Sequence, residues 1–421
     1  MKTLPRPQAE ILTIGDELLK GSTLNSNARF LGRELTDLGF RVSGQISCPD
    51  ELPLIRQRLA ECLSRAEVLV LTGGLGPTPD DVTREALAEY FHVPLEFSKS
   101  QYRHIEKFYK VRGKKVPAIV RKEAEFPANA VPLMNRYGIA LGFYIPLDHQ
   151  IVIVLPGVPR EQENMFFDLV RPLLLKRYPK ISAKHSLTIK TTGLSEPEVM
   201  RRLGKTFFRD AFDFGIYPSP GEAALRLQAE KKEVIRRLRD LAEKSLAGHV
   251  YAWEDISLSE AVGRILTQKK LTLALAESCT GGALAAEITR VPGSSAYFPG
   301  GVVTYSNVSK IRELSVSPAV LYEKGAVSEA VAKAMAAGVR KRFGTSLGIG
   351  ITGIAGPGGA TPEKPVGTVC IALASASSVK AWRYSFSGER TLVQVKSVRK
   401  ALEHLWGFLQ APAKKKSSRR A

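Results

Sequence analysis

Continuous apolar runs that stop at glycine turns do most to limit the folds open to this chain. Val68–Leu71 (VLVL) ends in Thr72-Gly73-Gly74, Ile151–Leu155 (IVIVL) in Pro156-Gly157, and Leu347–Thr352 (LGIGIT) in Gly353. A strand that is apolar on both faces has to be covered on both faces, the condition of a parallel sheet between helices. Helical spacing fills the intervals. Asn25–Leu38 carries Ala28, Leu31, Leu35 and Leu38 on one face. After Asp80 and Asp81, read as opening a helix, Val82, Ala86, Leu87, Tyr90 and Phe91 do the same. The expected fold class is therefore α/β, with two three-layer α/β domains of mostly parallel sheet.

The chain has 421 residues, enough for two or three cores. The first α/β domain is expected over 1–175, followed by a polar linker containing Pro179. Residues 186–255 read as a small α+β module, with strands at Leu187–Lys190, Phe212–Tyr217 and Ala223–Leu227. Ser195-Glu196-Pro197-Glu198 is a capping box, and Lys232–Ala247 is a charged helix. Residues 257–410 form the second α/β domain. Its expected strands are Leu271–Ala276, Gly301–Tyr305, Leu347–Thr352 and Val366–Ala374. Its expected helices are Leu258–Lys269, Gly281–Thr289, Ser328–Phe343 and Thr391–Phe408. Residues 411–421 are a basic tail, expected to be disordered, that carries Lys414, Lys415, Lys416, Arg419 and Arg420.

Charge and cysteine usage narrow the function. The net charge of +20 favours anionic ligands, nucleotides among them. No helix-turn-helix, aromatic platform or zinc finger supports nucleic acid as the partner. Cys48, Cys62, Cys279 and Cys370 are scattered with no CxxC pair, and the first ten residues hold no apolar signal. With no apolar run of membrane length, the expectation is a cytoplasmic protein without a membrane partner.

Two loop clusters carry chemistry. In the carboxy-terminal half, AESCTGG joins a strand to a helix, placing Ser278, Thr280, Gly281 and Gly282 at a helix amino terminus that can hold an anion. A serine there needs a base. The only histidine in residues 257–410 is His404, which makes a Ser-His-Asp triad a poor fit, whereas a lysine with a lowered pKa can serve. TYSNVSK supplies Tyr305 and Lys310. On local pattern alone, helix capping by Ser278 and Thr280 explains the turn as well. Cys279 is a rival nucleophile, read instead as a packing residue. In the amino-terminal half, Gly15 and Asp16 follow the first strand, Ile11–Ile14. Thr72, Gly73, Gly74, Gly76, Thr78, Asp80 and Asp81 follow the second. A glycine loop cradles phosphate, and carboxylates beside it ask for a bridging divalent cation. Capping is the competing reading for Asp80 and Asp81.

ALAESCTGG, VPGSSAYFPGGVVTYSNVSK and GIGITGIAGPGG together resemble the carboxy-terminal domain of the CinA family (competence/damage-inducible protein A), also found alone as nicotinamide-nucleotide amidase, PncC. The resemblance implies hydrolysis of nicotinamide mononucleotide to nicotinate mononucleotide and ammonia without a cofactor. Ser278 would be the nucleophile, Lys310 its base and Tyr305 a proton relay, while Thr352 and Gly353 line the pocket and Arg390 grips the phosphate. GGLGPTPDDVTREA and VLPGVPRE resemble the amino-terminal CinA domain and, more distantly, MoaB and MogA. That resemblance implies an ADP-ribose pyrophosphatase using magnesium or a similar metal on Asp16, Asp80 and Asp81. The middle module resembles the KH-like insert of the family, and a homodimer is implied. One departure is plain: Gly138–Phe143 reads GIALGF, where the family pattern is Gly-x-Ala-Pro-Gly-Phe. Alternatives of other kinds are an amidase with an inactive nucleotide- or pterin-binding front domain, and a competence- or damage-associated binding protein.

Overall fold

The computed structural model describes residues 6–179, 181, 185–209, 213–229 and 231–411. The chain divides into two compact units, the second beginning at His185. Phe212, residues 180 and 182–184 of the expected linker, and all of the basic tail beyond Ala411 lie outside the described residues.

The first unit is built on β1 (Gln8–Ile14), α1 (Ser26–Leu38), β2 (Arg41–Cys48), α2 (Leu52–Leu63), β3 (Val68–Thr72), α3 (Thr83–Tyr90), β4 (Val131–Leu133), β5 (Gly142–Pro146) and β6 (Ile151–Leu155). The sheet order is β2-β1-β3-β6-β5-β4. Alternate residues of the central strands face opposite layers, as the period of two requires. Ile11, Val70 and Ile153 pack on Leu31 and Leu35 of α1. Leu12, Leu71 and Val152 pack on Ile55 and Leu59 of α2 and on Leu87 of α3. All five residues of β3 and of β6 are buried. Helix α3 starts at Thr83 with Val82 as its cap, so Asp80 and Asp81 precede the helix rather than open it.

The second unit opens with an antiparallel sheet of β7 (His185–Thr192), β8 (Asp213–Ser219), β9 (Glu222–Ala229) and β10 (Val250–Ala252), in the order β8-β9-β7-β10. The Ser195–Glu198 capping box forms as read. There follow α4 (Leu258–Gln268), β11 (Leu273–Glu277), α5 (Ala283–Thr289), β12 (Gly300–Val303), α6 (Asn307–Leu314), α7 (Glu329–Phe343), β13 (Leu347–Gly353), β14 (Thr368–Ala374), β15 (Val379–Ser385) and α8 (Arg390–Gln410), with sheet order β12-β11-β13-β14-β15. Arg399 of α8 reaches Glu222 at 3.2 Å, tying the antiparallel sheet to this domain.

Neither α/β sheet is as parallel as the sequence suggested. β4 and β5 run antiparallel to their neighbours in the first sheet, as do β14 and β15 in the second. Short connections explain the β5–β6 and β14–β15 pairs. Pro146 to Ile151 and Ala374 to Val379 leave no room for a crossover helix, so each chain must double back. Among the described residues no helix is long and apolar enough to cross a membrane.

Helix α7 lies directly on β13. A Cβ at Gly350 would stand 2.5 Å from the carbonyl oxygen of Ala332 and 2.7 Å from the nitrogen of Ala336. Gly350→Ala should therefore overpack this contact and cost about 1–3 kcal/mol. Gly358→Ala, where a Cβ meets nothing within 4 Å, is the control. Equal denaturant midpoints for the two variants would refute the close packing of α7 on β13.

Candidate active site

Strand β11 delivers Ser278 to the carboxyl end of the second sheet, and β12 leads to Thr304. Helix α6 then brings Lys310 back between them. The Lys310 ammonium donates to Ser278 Oγ at 3.0 Å and to the Thr304 carbonyl at 2.7 Å. Lys310 is 1% exposed and Ser278 8%. Burial pushes the lysine pKa below its usual value. Among the described residues no carboxylate pairs with this amine to oppose that shift, which runs toward the neutral form a base requires.

The turn after Ser278 is organised by a residue that sequence reading passed over. Glu277, 2% exposed, accepts the backbone N–H groups of Gly282, Leu284 and Ala285 at 3.1, 3.1 and 2.8 Å. The signal was available: a carboxylate ending the apolar run LALAE. This changes where an oxyanion can be held. The N–H groups of the α5 amino terminus, expected to do it, are occupied by Glu277 and by the Thr280 carbonyl. The Thr280 N–H has no carbonyl acceptor among the described residues, and the Cys279 N–H meets only its own thiol. Thr280 Oγ1 and Thr304 Oγ1 are buried without a partner. The backbone N–H groups directly after Ser278 are where a tetrahedral oxyanion can be received.

The other expected residues fall into distinct places. Gly281 and Gly282 take left-handed backbone angles, φ +63° and +100°. Thr352 is buried, its hydroxyl given to the Ala326 carbonyl at 2.8 Å, so it braces the site rather than lining it. Gly353 lies against Cys279, where a Cβ would come within 3.0 Å of the sulfur. Burial pushes the Cys279 thiol up to about 12, which removes it as a nucleophile near neutral pH. His404 stacks on Trp382 with ring centroids 3.6 Å apart and meets the Tyr384 hydroxyl, so it is committed to packing. Tyr305 is 62% exposed, and its hydroxyl accepts from Arg390 at 2.8 Å, not from Lys310. Arg390 also donates to the Gly356 carbonyl at 2.8 Å. Gln394, one turn along α8 and also unforeseen, holds the Cys279 carbonyl at 2.8 Å.

In the first unit, Gly15, Gly73, Gly74, Gly76, Asp80 and Asp81 line one cleft of about 390 Å³ at the carboxyl ends of β1 and β3. Gly73 sits at φ +106° against the Ile14 carbonyl, so the loop turns as expected. Thr72 and Thr78 tie loops together, Thr72 to the Pro156 carbonyl at 2.8 Å and Thr78 to Asp81 at 2.9 Å through its N–H. Asp16 pairs with Lys20 at 2.6 Å. Leu141, at the departure from the family pattern, is fully buried, and its N–H donates to the Glu123 carbonyl at 3.3 Å, a bond a proline cannot make.

The cleft is acidic: Glu17, Asp50, Glu123 and Glu161 join Asp80 and Asp81 along it. Asp16, Asp80 and Asp81 do not gather into one cluster. Among the described residues no three His, Cys, Asp or Glu side chains are placed to hold a metal by themselves. Two participants escaped the sequence reading because charged residues in polar stretches look solvated. Arg84 is fully buried and donates to the Leu75 and Gly76 carbonyls, pinning the glycine loop. Glu123 is 2% exposed with one oxygen unpartnered; burial, opposed by Arg84, pushes it up to about 7.

The fold and the Ser278–Lys310 pair define an α/β protein with a serine–lysine site on a strand–helix turn. Residues 255–409 match the family model of the CinA C-terminal domain, and residues 10–176 that of a probable molybdopterin binding domain. The chain is 39% identical to a competence-damage inducible protein of Moorella thermoacetica, over 96% of this chain and 99% of that one. A CinA-like protein of Gemmatimonas aurantiaca is also 39% identical, over 94% and 95%. A CinA superfamily crystal structure from Klebsiella pneumoniae is 36% identical over 36% of this chain and 95% of that one, with a TM-score of 0.36. The chain belongs to the CinA family.

Glu123 gives the first cleft a stability signature. Its folded value of about 7 stands above the ordinary 4.5. Between those values the folded protein keeps a proton that the unfolded chain has lost, so stability falls as pH rises through the window. The full loss, on the order of 3 kcal/mol, is reached above pH 7. Glu123→Gln should remove that slope, melting above wild type at pH 8 and level with it at pH 4. Parallel melting curves across the window would show that the carboxyl titrates normally.

Proposed function

We propose that the chain is a hydrolase of pyridine nucleotides whose carboxy-terminal site deamidates nicotinamide mononucleotide. The observation that carries this reading is the buried Lys310 amine 3.0 Å from Ser278 Oγ. Neutral Lys310 takes the proton as Ser278 Oγ bonds to the amide carbon. The carbonyl oxygen becomes an oxyanion in reach of the Cys279 and Thr280 N–H groups. The C–N bond then breaks, the lysine proton passes to the departing nitrogen, and ammonia leaves an acyl ester on Ser278. Water, deprotonated by the same amine, adds to the ester and releases nicotinate mononucleotide with Ser278 restored. The reaction uses only this chain's own side chains and backbone.

For the amino-terminal cleft we retain binding of a nucleotide diphosphate, with ADP-ribose as the candidate substrate. Its glycine loop supports phosphate approach, while its acidic lining disfavours a bare anion. A divalent cation held by Asp80 and Asp81 would need oxygens from the ligand as well, so no hydrolytic step is derived there. ADP-ribose cleavage that a chelator abolishes would support the pyrophosphatase reading, and cleavage indifferent to the chelator would remove the metal from it.

Ammonia release from nicotinamide mononucleotide should fall about 10³-fold or more in Ser278→Ala and about 10²–10⁴-fold in Lys310→Gln. A chelator should leave it unchanged. A wild-type protein that releases no ammonia would sink the assignment. The pH dependence follows from the lowered lysine value. kcat/KM should rise as Lys310 loses its proton and level off below pH 10.5, the ordinary lysine value. A limb at 10.5 itself would contradict a buried base.

A further inference from the structure

The residue expected to touch the nucleophile is held elsewhere. The Tyr305 hydroxyl has one partner among the described residues, a guanidinium nitrogen of Arg390 at 2.8 Å. Its backbone neighbour, the Thr304 carbonyl, holds the Lys310 ammonium at 2.7 Å. The tyrosine is thus anchored one residue from the catalytic amine, while its exposed ring is turned out to Arg390. Burial raises the Cys279 thiol, and the Arg390 charge slightly opposes that rise, which puts the guanidinium in the electrostatic field of the residue next to Ser278. Its second nitrogen rests on the Gly356 carbonyl.

Both partners of Arg390 are neutral oxygens. A guanidinium prefers a phosphate, which offers two charged acceptors to its fork. We propose, resting on the amidase reading, that a substrate phosphate takes Arg390 from Tyr305 and frees the phenol to turn toward the Ser278–Lys310 pair. The phosphate then acts on turnover and not only on binding. Remote binding energy is spent in completing the reacting centre, which is how a non-reacting group comes to appear in kcat.

The test has a kinetic arm and a spectroscopic one. With wild type, kcat for nicotinamide riboside should be lower than for its mononucleotide by about 10-fold or more, and added inorganic phosphate should raise it saturably. Arg390→Met releases the phenol permanently. It should turn over the riboside faster than wild type does, equalise kcat on the two substrates and lose the phosphate response. A residue that only binds phosphate would instead change KM for the mononucleotide alone, and that result overturns the proposal. The spectroscopic arm does not need activity. With 3-fluorotyrosine at position 305, inorganic phosphate in otherwise wild-type protein should shift the fluorine resonance saturably, with chloride of equal ionic strength as the control. An unmoved resonance overturns the latch even if Arg390→Met fails to fold. If wild type releases no ammonia from the mononucleotide, the amidase reading falls by itself, and the fluorine titration still decides the latch.

Discussion

An amine buried without a carboxylate partner is the constraint around which the second unit is arranged. Lys310 keeps its place only because the Thr304 carbonyl and Ser278 Oγ satisfy it. Each of those depends on a neighbouring backbone contact. Thr304 N–H is held by the Glu277 carbonyl at 2.8 Å, and Ser278 N–H by the Ile351 carbonyl at 3.0 Å. The three parallel strands β12, β11 and β13 therefore set the distance between base and nucleophile. A shift of one strand by one residue would part them, because alternate residues face opposite layers.

Glu277 completes that arrangement from beneath. A carboxylate that accepts three N–H groups satisfies the start of α5 internally. Among the described residues it leaves the two N–H groups that follow the nucleophile without a carbonyl or carboxylate acceptor. Hydrogen-bonding capacity is thus divided between a structural anchor and a receptive turn, within eight residues of chain.

The two units solve opposite electrostatic problems. The second buries one amine and lowers its affinity for a proton. The first gathers six carboxylates along a cleft in a protein of net charge +20. It buries a guanidinium, Arg84, on loop carbonyls, while burial raises Glu123, Glu161 and Asp50 above their ordinary values. Overall charge was a poor guide to the local field, because a sum over surface side chains says nothing about which of them line a concavity.

Much of this protein was written in local pattern. Continuous apolar runs marked β3, β6 and β13, and the period of helices marked α1 and α8, because burial on one or two faces leaves a periodic trace. The candidate residues Ser278, Lys310, Tyr305 and Arg390 stood out by motif. Tertiary structure alone decided the rest. It turned β4, β5, β14 and β15 antiparallel, and it placed Asp80 and Asp81 ahead of their helix. It sent Thr352 to brace a backbone carbonyl and set the Tyr305 hydroxyl on Arg390, 85 positions away in sequence. It also buried Arg84, Glu123, Glu277 and Lys310. A charged side chain leaves no periodic mark, and whether it is solvated or enclosed depends on which distant segments close over it.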